Sequence, residues 1–458
     1  MSTNTNDASS DATATFSSVQ QLADYLAAGC KPESQWRIGT EHEKFVFHWD
    51  GQKPVAYAEP NGIQQLLQRL HRNDWQPIME GDHIIGLKRG QGSITLEPGG
   101  QLELSGAPLE SIHDTCAEVH QHLEVVKRAA EPLHLGFLGM GFHPQAKRED
   151  IPWMPKGRYR IMREYMPKRG DLGLDMMVRT CTVQVNLDFS SEQDMVRKFR
   201  IALALQPLAT ALFANSPFVE GKPSGMLSYR AHVWTRTDPD RTGMLDFVFD
   251  DDMSFERYTE YMLDVPMYFV HRNGEYIDTS GQSFRDFLAG KLPALPGERP
   301  TEADWNDHLT TAFPEVRMKR FLEMRGADGG PWERLCALPA LWVGLLYNAQ
   351  AMDEAEQLIR EWQMSDLRQF QLDAPVHGLK TQVAGRSLQD IAQDVLAIAK
   401  RGLQARQRLN AAGMDESRFL NQLVEIADSG LTPAELKLQR YHGAWNESVA
   451  PLFAEFAY

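Results

Sequence analysis

The chain is poor in cysteine. Four of its 458 residues (Cys30, Cys116, Cys181 and Cys336) carry a thiol, they lie far apart, and no CxxC occurs. That excludes a disulfide-stapled scaffold and makes a reducing, cytoplasmic setting the expectation. Basic residues are also in deficit, with 47 Lys and Arg against 62 Asp and Glu and a formal charge of −15. Nucleic acid and anionic membranes are recruited by clustered Lys and Arg, so neither is expected as a partner. A small anionic substrate stays open, because bound cations can supply the positive charge. The longest apolar run, 201–214, is broken by Gln206 and Pro207 and is too short for a bilayer. The first fifteen residues lack both the apolar stretch of a signal peptide and the arginines of a transit peptide, so residues 1–17 are expected to be a disordered tail.

Several catalytic signatures are missing as well. There is no GxxxxGK[ST], no GxSxG and no HExxH, and Gly136, Gly139 and Gly141 have the wrong spacing for a dinucleotide fingerprint. His113, His120 and Glu124 share a helical face, but imidazoles two turns apart are about 10 Å apart along the axis. That is too far for one ion, and a solvated face is the better reading.

Present instead are closely spaced alternating strands through much of 36–190, then helices, which dominate from about residue 332. Strands this close leave no room for crossover helices, so the fold class is α+β with an antiparallel sheet. Ser190, Ser387 and Thr432 stand where helix N-caps are expected.

The strands carry a repeated device. In Thr40-Glu41-His42-Glu43, the two glutamates point the same way, about 6.6 Å apart along a strand. Glu97 ends a second strand, Pro-Gly-Gly turns the chain, and Glu103 follows between Leu102 and Leu104. Thr180 to Phe189 alternates strictly and puts Gln184, Asn186 and Asp188 on one face. Glu323 and Arg325 share a face in a fourth segment. One such strand is usually a solvated sheet face. Four with the same habit point to five carboxylates meeting across one sheet, unless the strands belong to separate sheets. Carboxylates that close raise one another's pKa unless cations neutralise them, and oxygen-only ligands select Mg²⁺ or Mn²⁺ over zinc. Arg325 among them suggests a phosphoryl group nearby.

Residues 228–243 gather Arg230, Trp234, Arg236 and Arg241 in a loop-like stretch. Arginine forks there could clamp a small dianion, or simply pair with the neighbouring aspartates. Met176, Met177 and Trp153 are expected in core or pocket walls. The basic stretch from Lys156 to Arg169 reads as a flexible anion-recruiting loop or a solvated one.

Long segments then match a known family. IGTEHEKF, ITLEPGGQLELSGAPLESIH, MVRTCTVQVNLDFSSE, LALQPLATALFANSPF, the 230–243 segment and RFLEMRGADGGPWERLCALPA closely resemble plant-type glutamate–cysteine ligase, over roughly residues 20–350. The resemblance implies a glutamine-synthetase-like fold, a curved antiparallel sheet forming a catalytic funnel backed by helices. The catalytic domain would span 18–350, with a helical C-terminal part (351–458) packed on it. It implies ATP-dependent joining of the L-glutamate γ-carboxylate to the L-cysteine amine through γ-glutamyl phosphate, the first step of glutathione synthesis. Another glutamate–amine ligase of this fold, or an inactive binding relative, is the alternative.

By the same resemblance Glu41, Glu43, Glu97, Glu103 and Glu323 are metal ligands for two or three Mg²⁺ (or Mn²⁺), with Gln184 and Asn186 close by. Glu43, Glu103 and Arg325 are catalytic, Arg325 holding the transferring phosphate. Arg230, Arg179, Arg241 and Trp234 bind substrate or phosphate, and ATP is a co-substrate. Cys116 and Cys336 match one cysteine pair of the plant members, with two ordinary thiols expected in cytosol. Thr279 and Ala294 replace the other pair, so a monomer without that pair's redox control is expected.

Overall fold

The computed structural model describes residues 15–72 and 74–458, and the expected N-terminal tail falls almost wholly outside them. Nine strands make one antiparallel sheet: β1 (Ile38–His48), β2 (Gln76–Glu80), β3 (His83–Arg89), β4 (Gly92–Leu96), β5 (Leu102–Ser105), β6 (Leu135–Leu138), β7 (Thr182–Leu187), β8 (Val316–Met318) and β9 (Leu322–Asp328). The order is β8-β9-β7-β1-β5-β4-β3-β2, with β6 paired to the far end of β1. Every pairing in it is antiparallel. The four carboxylate-bearing segments therefore lie in one sheet, and the separate-sheet alternative fails.

The helices around it include α1 (Ile112–Ala130), α2 (Gly157–Tyr165), α3 (Gly173–Arg179), α4 (Glu192–Leu212), α5 (Tyr229–Trp234), α6 (Trp332–Leu346), α7 (Leu388–Ala405) and α8 (Ala450–Phe456). Alternation sorts the two faces of the sheet. On β7, Val183, Val185 and Leu187 turn backwards into a core shared with Phe199 of α4 and Leu341 of α6. On β4 and β5, Ile94, Leu96, Leu102 and Leu104 enter a second core with Val126 of α1. The intervening polar residues are thereby forced to the front. The first core runs from Leu22 to Ala427, so residues 18–350 and 351–458 share it.

Helix starts follow local chemistry. Ser387 and Thr432 cap their helices as expected, Thr432 in a reciprocal capping box with Glu435. The α4 cap is Ser191 rather than Ser190, because Asp194 is the third helical residue and Ser191 Oγ accepts from its backbone N–H at 3.1 Å. The front face of β1 changes character after Glu43. Phe45 and Phe47 pack there against Trp445, Leu452 and Phe453, so the last residues of the chain close that end of the face.

Cys116 on α1 and Cys336 on α6 form a disulfide, S–S 2.11 Å with Cα atoms 5.5 Å apart. This corrects the expectation of two thiols. The two helices pack directly on each other behind the sheet, bringing together residues 220 positions apart. Among the described residues no single helix is long and apolar enough to cross a membrane.

Candidate active site

The front of the sheet brings the predicted carboxylates together. Glu41 and Glu43 share one face of β1, and the register sets Glu43 directly opposite Glu103 on β5. Like charges in that position oppose strand pairing, so selection for stability alone does not place them there. Glu97 lies just past β4, where Pro98-Gly99-Gly100 reverses the chain. Gly100 takes φ +84°, which glycine adopts without strain. Gln101 pins this turn to the adjoining segment through Nε2, which donates to the carbonyls of Met177 and Thr180 at 3.2 and 2.9 Å. Glu97 is thus folded back over Glu103. One oxygen from each of Glu43, Glu97 and Glu103 lies within 4.8 Å of the others, and all three residues are at most 7% exposed.

Burial raises the Glu43 carboxyl to about 8, with Glu97 and Glu103 adding to the effect. Glu97 is raised by burial and then by Glu103, and Glu41 by burial and then by Glu323 and Glu103. Glu41 Oε2 is buried without a hydrogen-bond partner among the described residues, while Oε1 accepts from Asn186 Nδ2 at 3.0 Å. Asn186 fits there because its cross-strand neighbour is Gly39, where a side chain would crowd it. These residues fit a hard divalent cation. The donors are all oxygen, and they are close enough to close on Mg–O distances of about 2.0–2.1 Å. Glu43 and Glu97 are pushed up, whereas Glu103, despite its burial, is held down to about 2 with hydrogen bonds from Glu97 and Ser105, so the cluster keeps negative charge for a cation to answer.

Glu323 is different. Arg317 grips both its oxygens at 2.8 and 2.9 Å, and Arg325 and Lys319 lie 2.6 and 3.5 Å away. Burial acts to raise its pKa, but the three cations hold it far below the usual carboxylate range. Its charge is already answered by these three side chains. Glu43, Glu97 and Glu103 form the cluster, Glu41 adjoins it, and Glu323 anchors arginines. A sequence signal existed for this: Val316-Arg317-Met318-Lys319 alternates, and a tight turn then brings Arg317 opposite Glu323.

The remaining site residues divide. Arg325 Nη1 donates to Gln184 and Glu323, both at 2.6 Å, which fixes the guanidinium on the front face. Residues 228–234 are not a loop. Ser228 caps α5, whose second and sixth residues, Arg230 and Trp234, are four apart and fall on one side. Both line one cleft with Glu43, Glu97, Gln184 and Arg325. Met176 and Met177 line the same cleft, whereas Trp153 packs on Arg163. Asp328 sets α5 in place, accepting from Asn215 N, Ser216 Oγ and Ser228 Oγ at 2.7–2.8 Å. Ser216 Oγ in turn accepts from Arg230 N at 3.1 Å.

Arg179 and Arg241 are not in the cleft. Arg179 pairs with Asp175 and Glu220 and lies over Phe142. Arg241 is fully buried over Tyr268, its donors taken by Asp238, Thr311 O and Pro266 O. Arg241 is thus taken up by contacts within the protein, while Arg179 keeps Nε and Nη2 buried without a hydrogen-bond partner among the described residues. The stretch from Lys156 is no flexible loop either. Arg158, Tyr159, Ile161, Met162 and Tyr165 are the buried residues of α2. Lys156, missed in the sequence, lies buried with Nζ 2.7 Å from Leu96 O and its charge felt at Glu97 and Glu103. His120 and Glu124 are exposed neighbours on α1, as a solvated face requires.

Known proteins can now be set beside this geometry. The model of the family "Glutamate-cysteine ligase family 2 (GCS2)" matches residues 37–455. A chloroplastic glutamate–cysteine ligase of Brassica juncea is 60% identical over 440 residues, covering 96% of this chain and 84% of that one. Those of Arabidopsis thaliana and Medicago truncatula are 59% and 58% identical over the same share of this chain, covering 83% and 85% of theirs. In fold, the chain resembles a glutamate–cysteine ligase of Francisella tularensis solved in complex with AMP, with TM-score 0.53 at 16% identity over 92% of this chain and 89% of that one. The cytoplasmic expectation does not stand, since the relatives just named are chloroplastic proteins. Matched from residue 37 to residue 455, across the whole carboxylate sheet and the helices behind it, the chain belongs to glutamate–cysteine ligase family 2.

Proposed function

We propose that this cleft joins the γ-carboxylate of L-glutamate to the amine of L-cysteine at the expense of ATP, the reaction of the family. The observation that carries the site assignment is the register of β1 on β5. It opposes two buried glutamates, Glu97 from the following turn completes the cluster, and Glu43 and Glu97 line one cleft with Arg230 and Arg325. A carboxylate is a poor acylating agent, so the γ-carboxylate is first phosphorylated, and the amine then displaces phosphate. Glu43, Glu97 and Glu103 would hold Mg²⁺, with Glu41 beside them. The ion supplies charge neutralisation between the approaching anions and along the transferring phosphoryl group.

The protein's own groups do the rest. Arg325, held from behind by Gln184 and Glu323, presents its fork to the phosphoryl oxygens and costs no reorganisation when charge shifts to them. Arg230 is 2% exposed, with Nη2 on the Arg325 carbonyl and Nε unpartnered among the described residues. It offers a carboxylate a preset donor. Trp234, Met176 and Met177 wall the cleft and keep water from the acyl phosphate.

The test is ADP release by the full chain with L-glutamate and Mg²⁺. It is expected to depend on L-cysteine and to fall to background when EDTA is added. Equal release with several unrelated amines would move the reading to another glutamate–amine ligase.

A further inference from the structure

Two helices from the last hundred residues, Met364–His377 and Pro433–His442, reach the segment that carries Arg230. Pro375 O accepts from Leu227 N and Ser228 N at 2.8 and 3.0 Å, immediately before α5. Ala434 N donates to Ala214 O at 3.0 Å, and Lys437 Nζ donates to Asn215 Oδ1 at 2.7 Å. We propose that Lys437 is a positioning residue for glutamate binding, acting on Arg230 through Asn215, Asp328 and Ser216. The proposal rests on the ligase reading above, with Arg230 as donor to a substrate carboxylate, and gives the C-terminal helices a part in it.

The bonds form an unbroken series. Lys437 occupies Asn215 Oδ1, which leaves Nδ2 to donate to the carbonyls of Gly139 and Gly329 at 3.1 and 2.8 Å. A rotated amide would set Oδ1 against two carbonyls and its NH₂ against the lysine. Thus fixed, Asn215 presents its backbone N–H to Asp328 Oδ2 at 2.8 Å. Asp328 takes the hydroxyls of Ser216 and Ser228, Ser228 caps α5, and Ser216 Oγ accepts from Arg230 N. Every bond in this series is buried. Stability does not account for the lysine. It is 2% exposed and has no carboxylate partner among the described residues, and its Nζ lies over the ring of Phe456, 4.0 Å from the centroid. Burial, Arg334 and Arg440 all push its pKa well below the ordinary lysine value. An unbranched apolar side chain would fill the same space at lower cost, because a buried charge without an ion partner is expensive. What such a side chain lacks is the donor for Asn215.

Steady-state kinetics and melting of Lys437→Met in the full chain test this. The KM for L-glutamate is expected to rise about tenfold, the scale of one lost hydrogen bond to a charged group. The kcat and the KM values for ATP and L-cysteine should stay within about twofold. Melting should move by no more than a few degrees, since the lost hydrogen bond and the relieved burial of charge offset each other. In an Arg230→Lys background the same substitution should add less than about twofold, as action through Arg230 requires. Lys437→Leu removes the same donor and carries the test if Lys437→Met does not fold. Failure of both to fold would overturn the proposal by making Lys437 a packing residue. An unchanged glutamate KM in a folded variant, an equal rise for all three substrates, or full additivity with Arg230→Lys would overturn it while the ligase reading stands. No glutamate-dependent ADP release from the unmodified chain would overturn both.

Discussion

Glu43→Gln and Glu103→Gln should each lower kcat by about a thousandfold or more while leaving the fold intact. The size follows from what the pair does. Removing one preorganised electrostatic contact commonly costs 10²–10³ in rate, and here the change also removes a ligand from a three-carboxylate cradle. The retention of the fold follows from the same register. Glu43 and Glu103 face each other across β1 and β5, each at most 7% exposed, so an amide in place of either removes a repulsion from the strand pair. Melting of the metal-free variants is therefore expected at or above that of the unmodified chain, the pattern of a site that sacrifices stability for function. Near-native turnover would remove the residue from the metal set, and a collapse in stability would mean that the carboxylates serve packing.

Arg325→Lys should have an effect of similar size through a different step. The guanidinium is clamped by Gln184 and Glu323, and its planar fork matches phosphoryl oxygens in a way that one ammonium cannot. A loss of about 10³-fold in kcat is expected, within the range for arginines that stabilise transferring phosphoryl groups. The KM for glutamate should change little, because the contact matures as phosphate moves. Glu323 keeps Arg317 on both oxygens and Lys319 nearby, so the substitution does not strand a buried charge. If instead the glutamate KM rose with kcat unchanged, Arg325 would be a ground-state clamp.

How far could the residues alone foretell this? Alternation was enough for the sheet. Val183, Val185 and Leu187 had to face one way and Gln184 and Asn186 the other, and the register did the same for Glu41, Glu43 and Glu103. What alternation cannot give is which arginine faces the cleft. Arg230 and Arg241 sit eleven residues apart in one basic segment. Only the three-dimensional placement of Tyr268 and Asp238 sends Arg241 into the core. The α2 helix was hidden for a related reason, since its inward stripe includes Arg158 and a polar count does not register a buried arginine. Lys156 reads in sequence only as the start of a basic stretch, because its role comes from its closeness in space to Glu97 and Glu103, 59 and 53 residues away in sequence. The Cys116–Cys336 bond depends on the packing of α1 on α6, which no local pattern encodes.

Mn²⁺ binding to the full chain, followed by electron paramagnetic resonance, tests the central claim most directly, because it reads the ion without relying on turnover. The unmodified chain should take up Mn²⁺ at the carboxylate cluster and release it to excess Mg²⁺. Glu97→Gln and Glu103→Gln, shown to be folded by their melting, should weaken that uptake at least tenfold, with ligand loss alone enough for such a change. Full uptake by both folded variants would contradict the assignment of Glu43, Glu97 and Glu103 as the metal-holding centre.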